Sequence, residues 1–251
     1  MTSSRGRTTL SAGKMAEHRS KGKKPSRNGD NDILPEDLRG LSSRVLVKDA
    51  LLRLQGLVLD GSKEVQQAAF RAIGNLLAER FSEVYPLLFP WVESDEPRVR
   101  RAVAVAIWMA ARPQRYDMAE PLLKLVELLL PDREDEVRWQ VGPKAIAKGL
   151  LIHYPDDTFE YLMKWSTSHD EQVLWNVAMG LSGAAQVGLT SKALIILRRL
   201  ALDERRYVWR AVASAMWRLG RRTPERVLAE LRLWLSDEDR AHVARVALRH
   251  I

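Results

Sequence analysis

Arginines and tryptophans recur at fixed positions in this 251-residue chain, one or two positions after a series of regularly spaced valines. A guanidinium group neutralises phosphate, and an indole ring offers a flat face on which a base or a sugar stacks. We therefore predict a ridge of these side chains along one surface. With two nearby lysines, the candidate nucleic-acid-binding residues are Arg98, Arg100, Arg101, Arg138, Trp139, Lys144, Lys148, Trp175, Trp209, Arg210 and Arg245.

A structural role is the alternative for the same residues. Tryptophans can seal the junction between neighbouring repeats, with arginines stacked on them as cation–π pairs. For any single tryptophan the structural role is favoured, whereas the arginine column taken as a whole favours phosphate binding.

Other kinds of chemistry lack the residues that they need. The chain has no cysteine, which excludes disulfides, thiolate metal sites and a cysteine nucleophile. The five histidines show no ligand spacing such as HxxxH, and the sequence has neither a glycine-rich phosphate loop nor a GxSxG motif. We therefore predict neither a metal nor a small-molecule cofactor.

A repeated element must position the candidate residues. An acidic turn precedes a helix whose first core residue is valine, and successive valines lie 34, 38, 36, 35 and 35 residues apart. This period, without tetratricopeptide motif residues, is typical of HEAT-like helix pairs. We predict an all-α fold: a right-handed α-solenoid of about six HEAT-like pairs over residues 33–251. The marker valines are Val65, Val99, Val137, Val173, Val208 and Val243.

Local patterns place the individual helices. Val99 begins an apolar stripe with i, i+3, i+4, i+7 spacing, which is one face of a helix. Gly142 and Pro143 interrupt the helix that begins at Val137, and we expect a kink there because proline removes a backbone hydrogen bond. Further predicted helix starts are the capping boxes of Asp117 with Glu120 and Asp157 with Glu160, the cap Asp95 before Pro97, and Pro224 at a first helical position.

The net charge of +8 is unevenly distributed. Residues 1–29 carry eight basic residues against Glu17 and few apolar ones, so we predict that residues 1–32 are a disordered basic tail. The tail could bind phosphate or act only as a solubilising extension, and Met15 offers an alternative start. The predicted second helices of the pairs sum to +14, whereas the rest of residues 30–251 sums to −13. The nearly neutral solenoid therefore separates its charge by face.

Three segments of the chain resemble the HEAT-like DNA alkylation-repair proteins, which are the bacterial alkylpurine DNA glycosylases of the AlkD and AlkC type. The resemblance covers roughly residues 41–251 and is strongest in the last two repeats. It implies a positively charged concave groove that binds DNA, and aromatic contacts to a damaged nucleoside. The segments are SDEPRVRRAV at 94–103, YVWRAVA at 207–213 and VARVALRHI at 243–251.

The same resemblance implies a carboxylate that assists cleavage of the glycosidic bond. Asp170 and Glu171 are the catalytic candidates, because they lie one turn before Trp175. The helical stretches that follow the last five marker valines contain no Asp or Glu, so the sequence leaves open whether catalysis is retained. If the protein is an enzyme, the resemblance implies a DNA glycosylase that hydrolyses the N-glycosidic bond of alkylated purines.

These observations favour a nucleic-acid-binding solenoid whose partner is duplex DNA. The alternatives are a non-catalytic scaffold for an acidic protein and a scaffold bound to RNA or the ribosome. No apolar run reaches the roughly 18 residues that a membrane span needs, so we expect no membrane partner and a cytoplasmic location.

Overall fold

The computed structural model describes residues 46–250, so the predicted basic tail at residues 1–32 lies outside the described part of the chain. Every regular element within residues 46–250 is helical, as the sequence predicts. In chain order the elements are α1 (Val47–Asp60), α2 (Lys63–Glu79), α3 (Phe81–Val84), a 3₁₀ turn (Tyr85–Leu88), α4 (Phe89–Val92), α5 (Pro97–Ala110), a 3₁₀ turn (Tyr116–Met118), α6 (Ala119–Leu129), α7 (Asp135–Gln140), a π-helix (Val141–Leu150), α8 (Leu151–His153), α9 (Pro155–Trp165), α10 (Glu171–Leu181), a 3₁₀ turn (Ala184–Val187), α11 (Thr190–Leu200), α12 (Arg206–Gly220), α13 (Pro224–Leu235) and α14 (Ala241–Leu248).

The helices stack as six consecutive pairs in two layers. The second helices form one layer, in which α2 packs against α5, α5 against the π-helix, the π-helix against α10, α10 against α12, and α12 against α14. The first helices form the other layer, where α4 contacts α6, α6 contacts α9, and α11 contacts α13. The packing confirms the predicted α-solenoid of six HEAT-like helix pairs.

The marker valines lie in the core between the two layers. Val99, Val137, Val208 and Val243 are fully buried, and the other two are partly buried. Complete burial of one valine side chain stabilises the fold by about 1.5–3 kcal/mol. The period of the sequence therefore reflects one core position that recurs in each pair.

In several of the acidic turns, the aspartate side chain stabilises the turn through hydrogen bonds to the backbone. The carboxylate of Asp132 accepts a hydrogen bond from the backbone N–H of Glu134 at 2.9 Å. Asp203 accepts one from the backbone N–H of Arg205 at 2.9 Å, and Asp237 does the same for two backbone N–H groups that follow it. Aspartate favours such turns because its short side chain reaches the backbone two residues on.

Proline, rather than a carboxylate cap, sets several helix starts. Helix α13 begins at Pro224, which confirms that prediction. The predicted cap at Asp157 is wrong, because Pro155 starts α9 two residues earlier and places Asp157 inside the helix. The predicted cap at Asp95 is also wrong, because α5 begins at Pro97 without a side-chain cap. The fixed backbone angle of proline suits the first helical position, where its missing N–H costs nothing.

The capping box predicted at Asp117 is wrong for a different reason. Asp117 lies in the 3₁₀ turn before α6, and its carboxylate accepts hydrogen bonds from the Arg115 guanidinium at 2.9 and 2.8 Å. This charge-assisted pair replaces the bond to the helix N-terminus that a capping box requires.

The proline in the third pair does not end its helix. Gly142 and Pro143 lie in the π-helix, whose hydrogen bonds span five residues, and this wider turn accommodates the missing proline N–H. The side chain of Asn176 in α10 stabilises this segment through hydrogen bonds. Its side-chain oxygen accepts the backbone N–H of Gly142 at 2.9 Å, and its amide donates to the backbone oxygen of Leu130 at 2.9 Å. The expected kink is thus a π-helix held by a buried amide.

Glycines allow α10 and the turn after it to approach the π-helix closely. A Cβ at Gly183 would lie 2.2 Å from the backbone oxygen of Ala147, and one at Gly180 would lie 2.7 Å from the side chain of Ile146. Residues 174–181 are all buried as a result. Helix α10 is therefore recessed between the π-helix and α12.

Candidate anion-binding groove

A groove runs along the recessed helix α10, between the α7 and π-helix segment on one side and α12 on the other. It consists of two adjoining cavities of about 520 and 690 Å³, which share Trp139. We call them together the α10 groove. The first cavity is lined by Trp139, Trp175, Met179, Arg206, Tyr207, Arg210, Ala211 and Ser214. The second is lined by Trp139, Gln140, Pro143, Lys144, Ala147, Lys148, Ser182, Gly183, Gln186, Arg218, Arg221 and Arg222.

The charged side chains of the α10 groove are all positive. Seven cations line it, and no aspartate or glutamate does. Within residues 46–250, none of the seven forms an ion pair with a carboxylate. Low-dielectric walls around charges of one sign focus the field, so the groove attracts anions. The seven are Lys144, Lys148, Arg206, Arg210, Arg218, Arg221 and Arg222.

The surroundings lower the pKa of two of these cations. Burial, together with the nearby charges of Arg101 and Lys148, lowers the pKa of the Lys144 ammonium group below its ordinary value. Burial also lowers the pKa of the Arg218 guanidinium. Because both groups have lost water without gaining a carboxylate, an anion in the groove would restore the missing interactions.

Aromatic rings form the middle of the groove. Trp139 is 45% exposed, and its ring packs edge-to-face on that of Trp175, with 5.3 Å between the ring centroids. Trp175 is only 6% exposed and stacks on Tyr207 at 6.0 Å. Of the two tryptophans that line the groove, Trp139 therefore offers open surface to a ligand, while Trp175 supports it from beneath.

Three predicted arginines connect neighbouring repeats. Arg100 forms a two-pronged ion pair with Asp132 of the next turn, at 2.6 and 3.3 Å. The guanidinium of Arg101 lies 4.9 Å from the Phe70 ring centroid and 3.3 Å from a Glu136 oxygen. The third, Arg98, donates to the backbone oxygen of a residue in α1 at 2.8 Å. The structure thus places these arginines in intramolecular contacts outside the groove.

Arg138 is held among the aromatic rings beneath the groove. Its guanidinium lies 4.9 Å from the ring centroids of both Trp175 and Tyr207. It also forms an ion pair with Asp135 and donates to Gln172 at 3.2 Å. Its two terminal nitrogens and its flat faces are engaged, while its Nε is buried without a hydrogen-bond partner, and the stacked guanidinium positions the two rings.

The other predicted residues lie outside the two cavities. Trp209 packs edge-to-face on the His242 ring at 4.9 Å, and Arg245 is exposed on α14. Asp170 caps α10, since its carboxylate accepts the backbone N–H groups of Gln172 and Val173 at 2.7 and 3.2 Å. Glu171 is the first residue of the same helix.

Four groove cations escaped the list of candidate residues. Arg206, Arg210 and Arg218 lie along one stripe of α12, and Arg221 and Arg222 follow directly after its last residue, Gly220. Arg206 precedes Arg210 by 4 residues, and Arg218, Arg221 and Arg222 follow it by 8, 11 and 12 residues. This spacing is the sequence signal that could have identified them. The sequence prediction missed this spacing because it compared only the positions directly after each marker valine, which lie near the start of the helix.

A larger cavity of about 1000 Å³ between α9 and α11 has mixed charge. Its lining includes Asp156 and Glu160 together with Lys164, Lys192 and Arg199. Acids and bases alternate there, so that cavity does not select anions as the α10 groove does.

Matched substitutions distinguish Arg100, which connects two repeats, from Arg210, which is exposed and forms no ion pair within residues 46–250. We expect Arg100→Met to lower the free energy of unfolding by about 3 kcal/mol, because the Asp132 carboxylate, only 5% exposed, loses its counter-charge. Arg210→Met, at an exposed position without an ion pair, should change stability by less than about 0.5 kcal/mol. Urea denaturation of both variants measures the difference. Equal losses would contradict the division of the arginines into connecting and groove residues.

The comparison with protein families agrees with the repeat class. A family model described as HEAT repeats matches residues 50–142, which run from α1 into the π-helix. No curated protein matches the chain. Among solved structures, a protein described only as engineered is 18% identical with a TM-score of 0.39, and the match covers 80% of this chain and 97% of that one. A computationally designed armadillo repeat protein, described as made for modular peptide recognition, is 16% identical with a TM-score of 0.35, at 80% and 99% coverage.

Residues 46–250 contain neither a helix that could span a membrane nor a cluster of metal ligands. No helix there has the length and the apolar character that crossing a membrane requires. The same residues contain no group of three or more His, Asp or Glu side chains placed to hold a metal ion.

Proposed function

We propose that this HEAT-like solenoid is a non-catalytic binding scaffold whose α10 groove holds the phosphodiester backbone of a nucleic acid. One observation carries the proposal: seven cations and no carboxylate line two adjoining cavities that share the exposed Trp139. Phosphate neutralisation by lysine and arginine provides affinity that does not depend on sequence, and an aromatic ring adds stacking.

The hydrogen-bonding character of the groove favours phosphate over peptide. Lysine, arginine and tryptophan side chains only donate hydrogen bonds. A phosphodiester backbone presents only acceptors, whereas a bound peptide also brings N–H groups that need acceptors. The groove offers few of these: the side-chain acceptors among its lining residues are the amides of Gln140 and Gln186 and three hydroxyl groups that already donate a hydrogen bond elsewhere, those of Ser182, Ser214 and Tyr207. A nucleic acid therefore complements the lining more completely.

A scaffold for an acidic protein is the second candidate. The HEAT-repeat match over residues 50–142 favours a solenoid that binds partners, and it names no nucleic acid. Part of the groove lining is apolar and includes Met179 of the floor together with Ala211 and Pro143 of the two sides. An acidic segment with apolar side chains would meet both the floor and the basic rim.

We do not extend the proposal to base excision. Cleavage of a glycosidic bond needs a carboxylate near the sugar, and none lines the α10 groove. The oxygen of Asp170 that faces the backbone of α10 already accepts two N–H groups. Glu171 lies beside it and outside both cavities. The proposal is accordingly a binding protein, which should release no free purine from methylated DNA.

The test compares three polyanions with the full chain: mixed-sequence DNA, RNA of the same sequence and polyglutamate. We expect the nucleic acids to bind more tightly than polyglutamate, with an affinity that falls steeply as salt rises. The double variant Lys144→Ala, Lys148→Ala should weaken binding and reduce the slope of log K against log salt by roughly 1.5. Fluorescence anisotropy at several salt concentrations measures both quantities.

The full chain includes the basic residues 1–29, which could bind phosphate independently of the groove. The comparison of the double variant with the wild-type protein therefore decides whether the groove is the binding site. An unchanged affinity and slope would place the binding outside the groove and overturn the proposal. Tighter binding of polyglutamate, lost in the same variant, would instead establish the acidic-protein scaffold.

A further inference from the structure

We infer that the α10 groove is a site for single-stranded nucleic acid, in which one base stacks on Trp139 while the flanking phosphates lie against the basic side chains. This inference rests on the proposed function and names the form of nucleic acid that the groove takes. It differs from the duplex partner that the sequence predicts.

Trp139 has the position that a stacking platform requires. It is the one residue that lines both cavities, so a chain that follows the groove passes over it. Trp139 is 45% exposed, whereas Trp175 below it is 6% exposed. The edge-to-face contact between the two rings, at 5.3 Å, fixes the orientation of Trp139 without covering it completely. A ring held in advance loses little entropy when a base stacks on it.

Positive charge lies on both sides of this platform. Arg206 and Arg210 line the first cavity with Trp139, and Lys144 and Lys148 line the second. A strand with one base on the ring therefore meets cations at the phosphates before and after that base. Alternation of an aromatic face with basic side chains is typical of grooves that bind single strands.

The shape of the groove argues against a duplex. Its floor is a single recessed helix, and a helix with its side chains is only about 10 Å wide. Bases inside a duplex are covered on both faces by their neighbours, so none can stack on Trp139 unless it is flipped out at a cost of a few kcal/mol. A duplex could reach the rim cations with its phosphates, but the tryptophan would contribute nothing to its affinity.

The experiment separates stacking from charge by using ligands with and without bases. The full-chain protein is titrated with an oligothymidine of about 10 nucleotides, an abasic phosphodiester of the same length, and a duplex. We expect the bases to raise the affinity of the wild-type protein about 10-fold over the abasic chain. In Trp139→Leu that advantage should disappear, while the salt dependence stays unchanged. Trp139→Phe should keep part of it.

Trp209→Leu is the matched control, because Trp209 packs on His242 outside the groove. It should retain the full advantage of the bases, and thermal melts of each variant confirm folding. An equal advantage of the bases in the wild-type protein and Trp139→Leu, or duplex binding as tight as single-strand binding, would overturn the inference while leaving the proposed function intact. Failure of all three ligands to bind would overturn both.

Discussion

Reversal of three arginines at the end of α12 is expected to weaken nucleic-acid binding by about 100-fold or more near 0.1 M salt. Arg218, Arg221 and Arg222 line the second cavity opposite Lys144 and Lys148, and no carboxylate offsets their charge in the groove. In the variant Arg218→Glu, Arg221→Glu, Arg222→Glu, phosphate contacts are replaced by repulsion. For a single strand each lost contact lowers the slope of log K against log salt by about 0.7, so three should lower it by about 2.

A control with the same change in net charge isolates the effect of position. Arg133, Arg226 and Arg232 are exposed, line neither cavity and form no ion pair within residues 46–250. Their replacement by glutamate should reduce affinity only slightly, through the long-range field that salt screens over about 10 Å. If both triple variants lost the same affinity, overall charge rather than the groove would govern binding.

The repeat could be predicted from the sequence because one core position, occupied by valine, recurs in every helix pair. Valines at intervals of 34 to 38 residues mark the start of each second helix, and four of the six are fully buried. The structure of the third helix pair was harder to predict from the sequence. The structure around Pro143 depends on Asn176, which is 33 residues away in sequence and whose side-chain oxygen accepts the backbone N–H of Gly142 in the π-helix.

The division of the arginines could not be predicted from residue type. Arg100 and Arg210 both follow a marker valine closely, yet one pairs with Asp132 and the other is open. The difference depends on whether the acidic turn of the next repeat reaches the guanidinium, which is a property of packing. Trp139 and Trp175 occupy the same position of consecutive repeats and differ in exposure, 45% against 6%.

That difference between the tryptophans follows from the recess of α10. Glycine at 183 lets the turn after α10 approach the backbone of Ala147, and Gly142 allows the contact with Asn176. Both contacts draw α10 toward the π-helix, so Trp175 is covered while Trp139 stays at the rim. The groove is therefore a consequence of small residues and one amide, none of which carries a chemical signal of its own.

Replacement of Asn176 by leucine is accordingly expected to cost about 3–5 kcal/mol of stability and to lower the melting temperature by roughly 10 °C. Asn176 is fully buried, and leucine would leave the N–H of Gly142 and the carbonyl of Leu130 without their partners. Asn75→Leu, at an exposed position of α2, should change stability by less than about 0.5 kcal/mol. Thermal and urea unfolding measure both changes.

The same variant tests whether the recess of α10 creates the groove. Asn176 lines neither cavity, so any loss of nucleic-acid affinity in Asn176→Leu, measured at a temperature where it is fully folded, must come from displacement of α10 or the π-helix. We expect such a loss, because Trp139 and the lysines of the π-helix would move relative to the arginines of α12. A variant that is less stable but binds as well as the wild-type protein would show that the cations act independently of one another, as a charged surface rather than as a formed groove.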